Sequence, residues 1–416
     1  MTRSRKYAFR GAAIVLTLTV LWGIPELAVR LADPELLQFR AINFGGDDPG
    51  SPHLFVRDPH LHWALRPRAD LRFGDARVRV NRHGFRGPEL RSGSETVLAV
   101  GDSTPFGYLV EEDETFAAVL AARLDGDGAA AGAWQFLNAG VPGYSSHQAL
   151  RVAERLIARF EPAIVVVCVG NNDGWLFHQS DRQVEAGRAL TANVAAVLQK
   201  SEFLVWLAER FAAEEPQPFI PDEVVDGVPR VSADEYEANL TRIAELGRAH
   251  GATVVLLVPP VNLYYRPNTL WHLPDWDEWQ PWWQPTYALL LQGAYRRALT
   301  EANAVLRQDE HNIYGLWIKG LALTQLRQFE RGRELLETAL ELMPFPETAK
   351  RSYRRRVAAV ARRLDVGLID VNQLLWAAAP EQPAKYYLDW CHPTAAGHRL
   401  IAEAVFAAVR VAGGSL

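Results

Sequence analysis

Val97-Leu98-Ala99-Val100-Gly101-Asp102-Ser103-Thr104-Pro105-Phe106-Gly107 is the stretch on which the reading of this chain turns. Its apolar run predicts a buried strand, Gly101 permits a sharp exit from it, and the tight, glycine-bounded turn that follows presents one serine. Ser103 is thereby nominated as a nucleophile.

Outward from that turn, strand-like and helix-like patterns alternate. Strands are predicted over residues 96–100, 135–138, 164–169, 253–258 and 367–371. Helices are predicted over about 114–124, 146–160, 235–250, the arginine-rich 351–363, and 401–411. Such alternation predicts a parallel sheet with helices on both faces. Right-handed crossovers set the carboxyl ends of parallel strands along one edge, so residues just past each strand converge there. Ser103 follows the first strand, Gly140 the second and Asn172 the third, while Asp389 and His392 lie in the loop before the last helix.

Each of these has a chemical reason to be present. A serine hydroxyl is a weak nucleophile until a base takes its proton, and His392 is the natural base because a free imidazole titrates near neutrality. Asp389, three residues earlier, can reach the other ring nitrogen and hold both the tautomer and the imidazolium that forms. The oxyanion needs donors, for which the backbone amides of Ser103 and Gly140 and the side-chain amide of Asn172 are the candidates. The five positions outline an acyl-transfer site.

Composition agrees with a globular chain. The 416 residues are 49% hydrophobic and 22% charged, enough apolar material for one large core or two. A net charge of −5 without a long basic stripe argues against nucleic acid as a partner. The two cysteines, Cys168 and Cys391, are too few and too far apart for a disulfide scaffold or a zinc site of ordinary spacing.

At the amino terminus Arg3, Arg5, Lys6 and Arg10 precede an apolar run over residues 11–24. Basic flank and apolar run predict an uncleaved signal anchor over residues 1–32, with everything after it exported to the periplasm or cell surface of a bacterium. Residues 33–95, rich in Pro, Gly, Arg and His with an alternating run at 76–80, read as a stalk or covering segment.

Gly101-Asp102-Ser103, Gly140 within Asn138-Ala139-Gly140-Val141-Pro142-Gly143, Gly170-Asn171-Asn172-Asp173 and Asp389-Trp390-Cys391-His392-Pro393 together resemble the four markers of the SGNH, or GDSL-type, hydrolases, in family order. The resemblance implies a flavodoxin-like three-layer α/β/α sandwich with a parallel sheet, split into residues 96–265 and 351–416. It also implies no metal and no organic cofactor, and the roles already argued for Ser103, Gly140, Asn172, Asp389 and His392.

The residues between, 266–350, form an insertion. It opens on Trp271, Trp276, Trp279, Trp282 and Trp283, which can pack a core or offer a face to a sugar ring. Two or three helices are predicted after them. Residues 313–344 resemble a tetratricopeptide repeat, with Gly320, Gly332, Ala339 and Pro344 at its small, small, small and proline positions, and residues 298–311 resemble the second helix of a degraded unit. So few repeats cannot bury a continuous core alone, so the insert is expected to lean on the catalytic domain, as a roof over the crevice or a groove for a protein partner. A second insertion, residues 179–229, is predicted to hold an amphipathic helix near 190–211.

The reading is an exported, membrane-anchored serine esterase working through an acyl-Ser103 intermediate on a small acyl ester or an acylated saccharide of the cell envelope. An O-acyltransferase would use the same residues with a sugar hydroxyl in place of water. From another class, a protein-binding scaffold with residual esterase activity is the third possibility.

Overall fold

The computed structural model describes residues 17, 19–32, 54–58, 60–126, 132–177, 179–189, 203, 227–265, 275–344, 348–382 and 384–413. The predicted helix at 190–211, residue 203 apart, and residues 1–16 and 18 of the predicted anchor lie outside them. In the amino-terminal segment a helix, α1, covers Ile24–Ala32. Among the described residues no helix is long and apolar enough to cross a membrane.

Two antiparallel hairpins come next: β1 (Phe55–Asp58) with β2 (His62–Leu65), and β3 (Asp70–Phe73) with β4 (Ala76–Arg79). They are not a free stalk. Leu54, Phe55, Trp63, Leu65, Leu71, Val78 and Val80 are buried in the main core, so this segment covers one face of the domain.

The central sheet follows: β5 (Glu95–Gly101), α2 (Ser103–Phe106), α3 (Phe116–Asp125), β6 (Trp134–Gly140), α4 (Ser146–Phe160) and β7 (Ile164–Cys168). A short pair, β8 (Leu176–Phe177) and β9 (Val228–Pro229), closes the neck of the excursion that contains α5 (Asp181–Ala189). Next come α6 (Ala233–Ala249) and β10 (Thr253–Val258), then the insert helices α7 (Trp276–Leu291), α8 (Tyr295–Leu306), α9 (Ile313–Gln325) and α10 (Phe329–Leu342). The chain ends with α11 (Arg351–Leu364), β11 (Gly367–Asp370), α12 (Val371–Ala378) and α13 (Ala395–Gly413).

The sheet is five-stranded in the order β11-β10-β7-β5-β6, and every pairing in it is parallel. Counted in chain order this is 2-1-3-4-5, which reverses direction between β5 and β7 and opens a crevice at their carboxyl ends. Alternate residues of β5 serve the two faces. Leu98 and Val100 pack with α4, α6 and α11, whereas Val97 and Ala99 pack with α3 and α13. Burying each such Val or Leu side chain contributes about 1.5–3 kcal/mol, which is why uniformly apolar strands read correctly from sequence.

A third core belongs to the insert and is built on Trp283, Tyr314, Trp317, Ile318, Leu336 and Met343. It leans on the catalytic domain through the buried Arg354–Glu337 ion pair and the hydrogen bond from the Ala349 N–H to Asn171 Oδ1 (3.0 Å).

Candidate active site

Ser103 is placed by two backbone constraints. Gly101 has φ 148°, and a Cβ there would sit 1.8 Å from the Cys168 carbonyl oxygen, so only glycine lets β5 lie this close to β7 at its exit. Asp102 then caps α2, its carboxylate accepting the Thr104 N–H at 2.9 Å. Burial pushes the Asp102 carboxyl up to about 6, against the Thr104 and Asn171 backbone hydrogen bonds that favour its charged form. Ser103 occupies the first helical position, where its own N–H has no partner within the helix.

His392 Nε2 stands 2.7 Å from Ser103 Oγ, and its Nδ1 stands 2.6 Å from Asp389 Oδ2. The other Asp389 oxygen accepts the N–H groups of Cys391 and His392, each at 2.9 Å, which folds the four residues into one turn. Burial alone would raise the Asp389 carboxyl, but the His392 hydrogen bond and charge and the two backbone donors outweigh it and hold it below the ordinary range. An ionised Asp389 accepts from Nδ1–H, leaving the Nε2 lone pair for the serine proton. Metal-competent atoms of Asp389, Cys391 and His392 lie within 4.8 Å of one another, yet the carboxylate and imidazole among them already bind each other and Ser103.

Gly140 does not supply the expected oxyanion donor. Its N–H goes to Asn138 Oδ1 at 3.1 Å. A Cβ at Gly140 would meet Phe106 N at 2.2 Å, so this glycine serves the close approach of α2 to β6. The loop behind it offers another donor. Val141, Tyr144 and Ser145 donate their N–H groups to Gly101 O, Val141 O and Gln148 Oε1 respectively, and Pro142 has none. The Gly143 N–H, at φ 80°, is the one amide of this loop without an acceptor among the described residues. Asn172 is where the sequence reading put it, buried, with Nδ2 donating to Tyr144 O at 2.9 Å and its second amide hydrogen left over.

Of the tryptophans, Trp271 lies outside the described residues. Trp276, Trp279 and Trp282 are half-buried and Trp283 is buried. Trp283 stacks on Tyr287 at 5.6 Å and meets Trp317 at 5.5 Å, while Trp276 and Trp279 each pack against Tyr314 at 5.9 Å. Trp283 belongs to the insert's own core, and Trp276, Trp279 and Trp282 pack against it. What the insert does reach is the histidine turn: Ile313, Trp317, Leu336 and Met343 line a cavity whose other wall is Asn262, Tyr265 and Trp390.

Three participants escaped the sequence reading. The Tyr108 ring stacks on His392, centroids 4.2 Å apart. Asn262 donates to the Asp389 and Trp390 carbonyls at 2.8 Å each; its place just past β10, on the carboxyl edge, is the signal that would have found it. Arg86, buried and without a carboxylate partner among the described residues, donates to the carbonyls of Phe106 (2.8 Å), Gly107 (2.5 Å) and Val110 (2.5 Å), and burial lowers it to about 10. In sequence it looks like any surface arginine.

Residues 99–308 match the GDSL-like lipase/acylhydrolase family. No curated protein matches the chain. Among solved structures, TesA aligns at 17% identity with a TM-score of 0.37 over 76% of this chain and 99% of its own. LAE5, an alpha/beta hydrolase enzyme from the metagenome of Lake Arreo in Spain, aligns at 16% identity and TM-score 0.38 over 77% and 96%. An acetyl xylan esterase from Geobacillus stearothermophilus aligns at 16% identity and TM-score 0.37 over 76% and 95%.

Proposed function

The chain belongs to the GDSL-like lipase/acylhydrolase family and hydrolyses ester bonds; we propose that it does so through a covalent acyl-Ser103 intermediate. The observation that carries this reading is the unbroken hydrogen-bond chain from Ser103 Oγ through His392 to Asp389, at 2.7 and 2.6 Å.

Ser103 Oγ attacks the ester carbonyl carbon as its proton passes to His392 Nε2, and Asp389 holds the resulting imidazolium. The oxyanion is met by the N–H groups of Ser103 and Gly143 and by the spare amide hydrogen of Asn172. The C–O bond to the alcohol breaks, His392 returns the proton to that leaving oxygen, and water repeats the sequence on the acyl-enzyme. A fluorophosphonate probe should label the protein at Ser103, and Ser103→Ala should abolish labelling and lower turnover of p-nitrophenyl acetate by at least about 10³-fold. Undiminished turnover by that variant would remove Ser103 from the mechanism.

The strand order 2-1-3-4-5 supports the flavodoxin-like reading of the sheet. The tetratricopeptide-like reading of the insert is supported where α9 crosses α10: a Cβ on Gly332 would lie 2.7 Å from the Gly320 carbonyl, and one on Gly320 2.7 Å from Leu336. Such closeness accounts for the small residues. Export and anchoring rest on the basic flank and apolar run of residues 1–32. An acylated saccharide of the cell envelope as substrate rests on that location.

A further inference from the structure

The turn between β6 and α4 is held by side chains from two segments that lie outside the sheet's own connections. The Pro142 carbonyl accepts Trp63 Nε1–H at 3.1 Å, from the covering hairpins. The Gly143 carbonyl accepts Arg230 Nη1–H at 2.7 Å, from the neck of the excursion after β7. The Tyr144 hydroxyl returns to the Trp63 carbonyl at 2.5 Å, and Gln148 Nε2 donates to Leu61 O at 2.6 Å.

Arg230 is itself fixed. It is 4% exposed, pairs with Asp181 through Nε (3.1 Å) and Nη2 (2.9 Å), and gives Nη2 also to Gln148 Oε1 at 2.7 Å. Asp181 in turn accepts the Ser145 hydroxyl at 2.5 Å. The two partners are also joined through backbone, Asp181 N–H to Arg230 O at 2.9 Å, so the pair bolts the excursion's neck to the loop.

One geometric fact gives these contacts a catalytic meaning. The Pro142–Gly143 peptide is planar and trans, so its C=O and N–H point in opposite directions. A donor that pins the Pro142 oxygen therefore aims the Gly143 N–H, the one loop amide left without an acceptor among the described residues. Arg230 fixes the next peptide plane on the other side of the same glycine, whose φ of 80° lies where the backbone would otherwise have unusual freedom. Buried N–H groups are seldom left unpaired without a use.

We propose that Trp63, Arg230 and Asp181 are positioning residues that hold the Gly143 N–H as an oxyanion donor. The covering segment and the excursion after β7 are then parts of the catalytic apparatus. This inference rests on the acyl-Ser103 reading above.

The test uses the full chain. Trp63→Phe keeps an aromatic ring but removes the indole N–H together with part of the buried ring volume, which the melting temperature reads; Arg230→Lys keeps the charge beside Asp181 and loses the fork that spans Gly143 and Gln148. For each, kcat and KM on p-nitrophenyl acetate are measured with the affinity for phenylboronic acid, which forms a tetrahedral adduct on the serine, and the melting temperature. Loosening one oxyanion donor should lower kcat and boronate affinity together, by about 10-fold or more, with KM within about 3-fold and the shape of the pH–rate profile unmoved. A lowered melting temperature with unchanged kcat and boronate affinity would overturn the proposal in favour of plain packing. Should Trp63→Phe not fold, Arg230→Lys decides by the same readings. A wild type that neither turns over the ester nor binds the boronate would fail the acyl-Ser103 reading itself, which is a separate outcome.

Discussion

Asp173 sits one residue past Asn172, fully buried, accepting the Ser146 N–H (3.0 Å) and hydroxyl. Burial drives its carboxyl up to about 7 despite those bonds. An acid whose pKa is raised by folding binds its proton in the native state over a range where the unfolded chain has lost it. Stability contributed here is present below the unfolded value near 4 and is lost as pH rises toward 7. His398 opposes this: burial lowers it to about 3, so its contribution grows as pH rises from there to about 6.5. These two contributions oppose each other between about pH 4 and 6.5, so the informative quantity is a difference. Melting curves of Asp173→Asn and wild type should draw apart between about pH 4 and 7, the variant gaining relative stability as pH rises. A constant offset would show that Asp173 does not titrate in that window. At this scale Ser103, Asn172, Asp389 and His392 were all legible, because each chemistry demands one residue type, just past a strand for Ser103 and Asn172 and in the loop before the last helix for Asp389 and His392. Gly140 was misassigned because a glycine needed for close approach and a glycine needed as a donor look the same in a sequence.

Two elements whose burial is all-round or cleanly periodic were read with correct bounds. The helix Ser146–Phe160 and the strand Thr253–Val258 match the prediction at both ends. The hairpin of β1 and β2 was missed, since four-residue strands interrupted by Arg, Asp and His carry almost no period. The tryptophan-rich helix α7 is the opposite case: its composition was legible and its use was not, because an aromatic face packs or binds equally well until a neighbour is known. Here the neighbours are Tyr287, Tyr314 and Trp317. Trp283→Ala should therefore cost about 3–5 kcal/mol in chemical denaturation of the full chain. A variant of unaltered stability but weakened saccharide binding would return Trp283 to the substrate.

Across the whole molecule the catalytic residues come from both ends of the chain. The family match ends at residue 308, in the insert, whereas His392 lies beyond it and meets Ser103 only because β11 pairs with β10 and returns the chain to the crevice. The membrane question belongs to this scale too. Removing residues 1–32 should release active enzyme into the soluble fraction of disrupted cells, with the full chain sedimenting with membranes. Equal solubility of the two would end the anchor proposal.

Sequence alone determined the parallel α/β sheet and the serine, histidine and carboxylate of the site, because apolar periodicity and residue chemistry are local properties. Tertiary structure alone decided that the Gly140 N–H is taken by Asn138 while the Gly143 N–H has no acceptor among the described residues, that Trp283 is core, and that the covering hairpins and the excursion's neck grip one loop. Those outcomes depend on which groups from distant segments satisfy each backbone donor and acceptor, and no local pattern records that pairing.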